Sequence, residues 1–174
     1  MTASDTWHHV WRVGADINTD VLAPGYVMQH GVDVIARHCL ESVRSEFARD
    51  MRRGDVIVAG PNFGIGSSRE QAAGVLVHLG VAAVIAPSYG GLYFRNAFNL
   101  GLILLTCPEA ESIADGEMVR LHLTTQPLVE TADGRLLECE PIPDFLLDMA
   151  RAGGLFNQLK TRLQNSAALP ADRA

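Results

Sequence analysis

Residues Ala59-Gly-Pro-Asn-Phe-Gly-Ile-Gly-Ser-Ser-Arg-Glu-Gln-Ala-Ala73 decide how this chain folds and where it acts. Directly before them, Asp55-Val-Ile-Val58 is a short apolar, β-branched run bounded by Gly54 and Gly60, which predicts a buried strand. Directly after the glycines, residues 71–79 space Ala, Val, Leu and His as a packed helix does. The glycine-rich segment is therefore expected to join a strand to a helix. Gly60, Gly64 and Gly66 permit positive φ and a close approach of backbone to a ligand. The helix start adds free N–H groups and the positive end of a dipole. Ser67, Ser68 and Arg69 stand at that end. Two hydroxyls and a guanidinium, which grips a carboxylate through two parallel hydrogen bonds, suit a carboxylate-bearing ligand.

A plainer reading competes with this one. Ser67 with Glu70, and Ser68 with Gln71, both fit the capping box, in which a serine and a Glu or Gln three places on satisfy the orphan N–H groups of a helix start. That would account for the serines and Glu70, but not for the glycine run or Arg69. Other glycine-loop signatures fail. A dinucleotide fingerprint needs Gly where Arg69 stands, a nucleotide-hydrolase phosphate loop needs Gly-Lys-Ser/Thr, and a nucleophile elbow needs Gly two places after its serine.

Outward from this loop, residues 81–86 and 102–106 are apolar runs of strand length, with helices expected over 70–79 and 91–99. Strand, helix, strand, helix, strand predicts an α/β fold with a mostly parallel central sheet and crossover helices. Upstream, 7–13 alternates as a first strand, 16–24 reads as a turn, 25–31 as a loop, and 32–40 and 42–49 as helical stretches. Downstream, 110–115 reads as a short helix and 118–123, 128–130 and 135–139 as short strands, the last two joined by the hairpin signal Asp133-Gly134. Helices over 143–152 and 155–163, separated by Gly153-Gly154, close a single domain spanning 1–174. Its core is expected over 7–163, with a frayed tail at 165–174.

Nearly half of the 174 residues are hydrophobic and a fifth are charged, as in an ordinary globular protein. A net charge of -6 argues against a nucleic-acid partner and against an anionic membrane surface. The polar start lacks the pattern of a secretory signal, and no apolar run approaches the roughly 18 residues of a membrane span, so a cytoplasmic location is expected. Cys39, Cys107 and Cys139 are odd in number, far apart along the chain and without a Cys-x-x-Cys. No local metal or iron–sulfur motif follows from them, and free buried thiols in a reducing compartment are expected.

Three motifs in order give the chain a resemblance. Asp16-Ile-Asn-Thr-Asp-Val-Leu-Ala-Pro24, Asn62-Phe-Gly-Ile-Gly-Ser-Ser-Arg-Glu70 and Ser88-Tyr-Gly-Gly-Leu-Tyr-Phe-Arg-Asn-Ala-Phe-Asn-Leu-Gly-Leu102 resemble those of the small subunit of 3-isopropylmalate dehydratase and of the matching swivel domain of aconitase. The likeness covers roughly residues 10–160. It implies a swivelling β/β/α domain with a C-terminal hairpin region, and a hydro-lyase or isomerase of the leucine-biosynthesis type. Such an enzyme removes and re-adds water on a hydroxy-dicarboxylate, with a [4Fe–4S] cluster held by a separate large subunit and none bound by this chain.

By motif correspondence, Ser67 is the base, acting as alkoxide, Ser68 hydrogen-bonds the carboxylate that gains charge in the aci-acid intermediate, and Arg69 grips a carboxylate. Asp20 is expected to act by positioning, and Gly66, Tyr26, Val27 and Met28 to line the substrate. Relatives commonly carry Tyr-Leu-Arg where this chain has Tyr26-Val27-Met28, and no arginine follows before Arg37. That departure turns the expected substrate toward an uncharged substituent: isopropylmalate or a smaller methyl- or dimethylmalate, with a homoaconitate-type acid as alternative. His30 reads as a solvated loop histidine. Ile65 stands where many relatives have Cys, and Gln71-Ala-Ala73 where many have His-Ala-Pro. Arg95 and Asn96 are expected in a structural salt bridge or cap. From another class, a stand-alone anion-binding or regulatory module would keep the same residues without catalysis, and a purely structural domain would leave the glycine loop without a reason.

The isolated chain is expected to bind no iron–sulfur cluster and to show no dehydratase activity. Cluster absorption in the lone protein after anaerobic reconstitution would contradict this.

Overall fold

Strand β1 (Trp7–Arg12) sits at the middle of a seven-stranded sheet. The structure, a computed structural model, describes residues 6–167. On one side of β1 lie β2 (Val56–Val58), β3 (Ala83–Ala86) and β4 (Ile103–Thr106), all parallel, with Val10 opposite Val56 and Val56 opposite Ala83. On its other side lie β5 (Met118–His122), β6 (Leu128–Thr131) and β7 (Leu136–Glu138), all antiparallel. The parallel half of the expected sheet is therefore present, and the hairpin region extends the same sheet.

Burial follows pairing. Every residue of β2 and β3 is buried, the continuous apolar run of a strand covered on both faces. Strands β5 and β6 instead bury every second residue, Val119, Leu121, Val129 and Thr131. The Asp133-Gly134 turn forms where expected, with Gly134 at φ +87.

Helices α4 (Gln71–Leu79) and α5 (Gly91–Asn99) make the two crossovers, β2 to β3 and β3 to β4. They close with α6 (Asp144–Arg151) and α7 (Leu155–Ala167), which runs past the expected end at 163. Of the tail expected to fray, 165–167 lie in this helix and 168–174 fall outside the described residues.

Three upstream expectations change. Inside the expected turn at 16–24 a short helix, α1 (Thr19–Leu22), forms because the Asn18 side chain accepts from the Val21 N–H at 3.0 Å. Helix α2 (Val32–Ala36) stops short of 40, because the chain turns left-handed at Leu40, φ +61, and the Leu40 N–H donates to the Val21 carbonyl at 2.9 Å. The next helix, α3 (Phe47–Asp50), starts at 47 and not at 42. The stretch at 110–115 is a single 3-10 turn, Ala110–Ser112.

The loop after β2 is fixed by its glycines. A β-carbon on Gly64 would lie 2.1 Å from Cγ of the buried Tyr93 on α5, and one on Gly60 would lie 2.9 Å from the backbone of Ala15. Gly60 and Gly64 thus admit the protein's own chain. Gly64→Ala, which also places a side chain at φ +75, is expected to cost about 3 kcal/mol or more, read as the shift in the chemical-denaturation midpoint.

Candidate active site

The three sequence motifs meet in space. Their loops leave β1, β2 and β3 and are laced by backbone hydrogen bonds: Asp16 N–H to Pro61 O (2.9 Å), Gly64 N–H to Ile17 O (2.7 Å), Thr19 N–H to Ile65 O (2.9 Å) and Phe63 N–H to Ser88 O (3.1 Å). Side chains repeat the connection. Asn62 Nδ2 donates to Asp16 Oδ1 at 2.8 Å, and Ser88 Oγ accepts from the Asn62 N–H at 2.9 Å. Asp16 and Asn62 both take positive φ, +56 and +64, a region that short polar side chains tolerate. The cluster lies beyond the carboxyl ends of parallel strands, where open α/β sheets present ligand sites.

Ser67, Ser68 and Arg69 follow this lacing, and the two serines are exposed. Neither serine caps α4. The residue before the helix, Glu70, is itself helical in φ and ψ, and among the described residues no side chain bonds the first N–H groups. The capping-box reading is thereby corrected, since Gln71 starts the helix too late for Ser67 to reach its first turn. Ser67 turns instead to Thr19, a buried residue of α1: the Ser67 N–H donates to Thr19 Oγ1 at 3.1 Å, and the two hydroxyl oxygens lie 3.0 Å apart. The Ser68 hydroxyl makes no hydrogen bond among the described residues, while its carbonyl accepts from Asn96 Nδ2 at 3.2 Å. Gly66, φ +109, passes Thr19 so closely that a β-carbon would lie 3.1 Å from Oγ1.

Arg69 Nη1 bonds Asp20 Oδ1 and, at 3.2 Å, the Ala23 carbonyl. The Asp20 side chain is 65% exposed, so this pairing sits on an open surface that another anion can reach. A β-carbon on Gly25 would lie 3.6 Å from the Asp20 carboxylate and 4.0 Å from Arg69 Nη2, so the 25–31 loop runs alongside the pair. In that loop Val27 is buried in the core, Met28 is half-buried against it, and Tyr26 is exposed. The Tyr26 hydroxyl bonds Glu41 and lies 3.0 Å from His38 Nδ1, which is 2.7 Å from Glu41. The hydrogen bonds from Tyr26 and then from His38 hold the Glu41 carboxyl below its usual range. Of the expected substrate-lining residues, Gly66, Arg69, Tyr26 and Met28 have exposure on this face, and Val27 has turned away.

Thr19 was missed as a site residue, although it stands in the first motif; only the fold shows that it backs Ser67. Asn96 makes neither the salt bridge nor the cap expected but donates to the Ser68 carbonyl. Arg95 makes neither: it is exposed, with no ion pair or hydrogen bond among the described residues. Nor are the cysteines all remote from one another. Cys107 and Cys139 are neighbours across β4 and the segment after β7, joined by the Glu140 N–H to Thr106 O bond at 2.8 Å. The Cys139 thiol is pushed up by the Cys107 thiol beside it and by burial. All three cysteines are buried and free. Among the described residues no group of three or more His, Cys, Asp or Glu is arranged to hold a metal ion.

This combination defines an aconitase-type swivel domain: residues 40–110 match the aconitase C-terminal domain. The chain is 40% identical over 152 residues to the 3-isopropylmalate dehydratase small subunit 1 of Archaeoglobus fulgidus, covering 87% of this chain and 94% of that one. It is 41% identical over 155 residues to the methanogen homoaconitase small subunit of Methanothermobacter thermautotrophicus, covering 87% and 89%. The crystal structure of 3-isopropylmalate dehydratase from Methanocaldococcus jannaschii superposes with a TM-score of 0.85 at 34% identity, over 92% of this chain and 96% of that one. The chain belongs to the family of 3-isopropylmalate dehydratase small subunits.

Thr19→Val removes the acceptor of the Ser67 N–H and is expected to cost about 1–2 kcal/mol. Ser68→Ala removes no hydrogen bond and is expected to stay within about 0.5 kcal/mol of the parent. Denaturant titration of both variants checks the pair.

Proposed function

We propose that this chain is the small subunit of a two-subunit hydro-lyase that moves water on and off a hydroxy-dicarboxylate with an apolar substituent, 3-isopropylmalate or a smaller alkylmalate. The observation that carries the reading is the side-by-side exposure of Ser67, Ser68 and Arg69 on a surface built by all three family motifs. In this reading a [4Fe–4S] cluster held by the large subunit would supply the Lewis acid for the departing hydroxyl, while the three thiols of this chain are buried. Three free thiols also favour a reducing, cytoplasmic setting.

On this side of the reaction Ser67 takes the carbon-bound proton as alkoxide. Thr19 Oγ1 already accepts from the Ser67 N–H, so its own proton is available to Ser67 Oγ and favours the charged form. The uncapped start of α4 adds its dipole, and closure by the large subunit would exclude water and strengthen both effects. Ser68, with an uncommitted hydroxyl, donates to the carboxylate that gains charge. Arg69 exchanges its bond to Asp20 for a substrate carboxylate, and Asp20 holds the guanidinium in place until then.

The loop beside Arg69 supports an uncharged substituent. It carries Met28 and no arginine or lysine, and the Glu41 carboxylate behind Tyr26 is already paired with His38, so an added carboxylate there would lack a fixed cation. The homoaconitase relative keeps a tricarboxylate as the second reading.

Co-production with a candidate large subunit, followed by anaerobic hydration assays on unsaturated dicarboxylates, tests the reading. Alkylmaleates are expected to turn over, with discrimination of roughly 10 to 200-fold per methylene and a larger margin against homoaconitate. Comparable kcat/KM for the tricarboxylate would contradict the account of the loop.

A further inference from the structure

A cavity of about 500 Å³ opens at the other end of β2 from the serine loop, lined by Trp7, His9, Trp11, Asp50, Arg52, Asp55 and Met118. Its volume suits a small organic ligand. Trp7, His9 and Trp11 alternate along β1 and so share one face of the sheet, with Met118 of β5 opposite His9. Asp55, immediately before β2, supplies the polar centre.

The Asp55 residue is only 8% exposed, a burial that a carboxylate tolerates only with partners. Both of its hydrogen bonds, from the Trp11 indole N–H and from the Arg52 backbone N–H at 2.8 Å each, go to Oδ2. Oδ1 accepts none among the described residues and is free for a donor in the cavity. The nearest titratable neighbour is His9, whose Nδ1 lies 3.9 Å from Oδ2. The Asp50 carboxylate is already gripped by Arg49 at 2.7 Å. The Arg52 guanidinium has no ion pair or side-chain hydrogen bond among the described residues. The cavity thus offers an open carboxylate oxygen, a free guanidinium and an apolar wall of Trp7, Trp11 and Met118.

We propose that this cavity binds a small α-amino acid with an apolar side chain. The ammonium donates to Asp55 Oδ1; the Trp7 and Trp11 rings, already covered by the Arg120 and Arg44 guanidinium groups at 4.5 and 5.0 Å, serve only as wall. The carboxylate pairs with Arg52, and the side chain lies along Trp7 and Met118. None of these residues belongs to the serine site, so the assignment stands or falls independently of the proposed chemistry.

The chain's two tryptophans both line the cavity, so intrinsic fluorescence of the full chain reads occupancy directly. L-norleucine, with pentylamine and hexanoate as its one-headed counterparts, serves as the probe set. A saturable change in tryptophan emission with norleucine is expected, with both counterparts binding at least about tenfold more weakly. Arg52→Ala, at an exposed position, is expected to weaken norleucine about tenfold and leave pentylamine unchanged. No saturable response to norleucine up to about 50 mM, binding of hexanoate equal to norleucine, or an Arg52→Ala variant that binds norleucine like the parent would each overturn the assignment.

Discussion

Gly64 passes the ring of Tyr93 where no β-carbon fits, and the site depends on that contact. With only backbone at this point, the loop after β2 lies directly on α5. From there its N–H reaches Ile17 and the next carbonyl, at Ile65, receives Thr19. Those two bonds bring the first motif against the second. Phe63, beside the glycine, joins the third motif through Ser88. Three segments distant in sequence therefore hold one another in place, and Ser67 emerges from them already bonded to Thr19. A base that must ionise from a very weak acid needs donors fixed in advance, because reorienting them during the reaction would consume the stabilisation they give.

The charge arrangement is equally restrained. Arg69 is the guanidinium beside the serines, and Asp20 is bonded to it. An exposed pair of this kind contributes little to stability. Its value lies in orientation: the fork stays beside the 25–31 loop and open to exchange. The same surface leaves Ser68 uncommitted and α4 uncapped, features that a structural loop would satisfy internally.

Much of this was legible in the residues. Apolar runs with β-branched residues gave β2 and β3, the Asp133-Gly134 pair gave the last hairpin, and α5 falls on the expected 91–99. The motif spacing singled out the serines and Arg69, which the fold sets side by side. What escaped was tertiary. The capping boxes at Ser67 and Ser68 satisfy a local pattern, but Thr19 competes for Ser67 and wins. The reason for Gly64 lies in a tyrosine nearly thirty residues away. Leu40 turns left-handed and bonds Val21, and Val27 is buried in the core. Nothing in the local spacing of those positions encodes these partners.

The central claim is that Ser67 is held for chemistry and not for the fold. The most direct measurement is turnover of Ser67→Ala in the complex reconstituted with the large subunit, alongside the unfolding midpoint of the isolated variant. The account predicts a loss of at least about a thousandfold in kcat with the midpoint within about 1 kcal/mol of the parent. Near-parental kcat per folded complex, together with a large fall in stability, would contradict it.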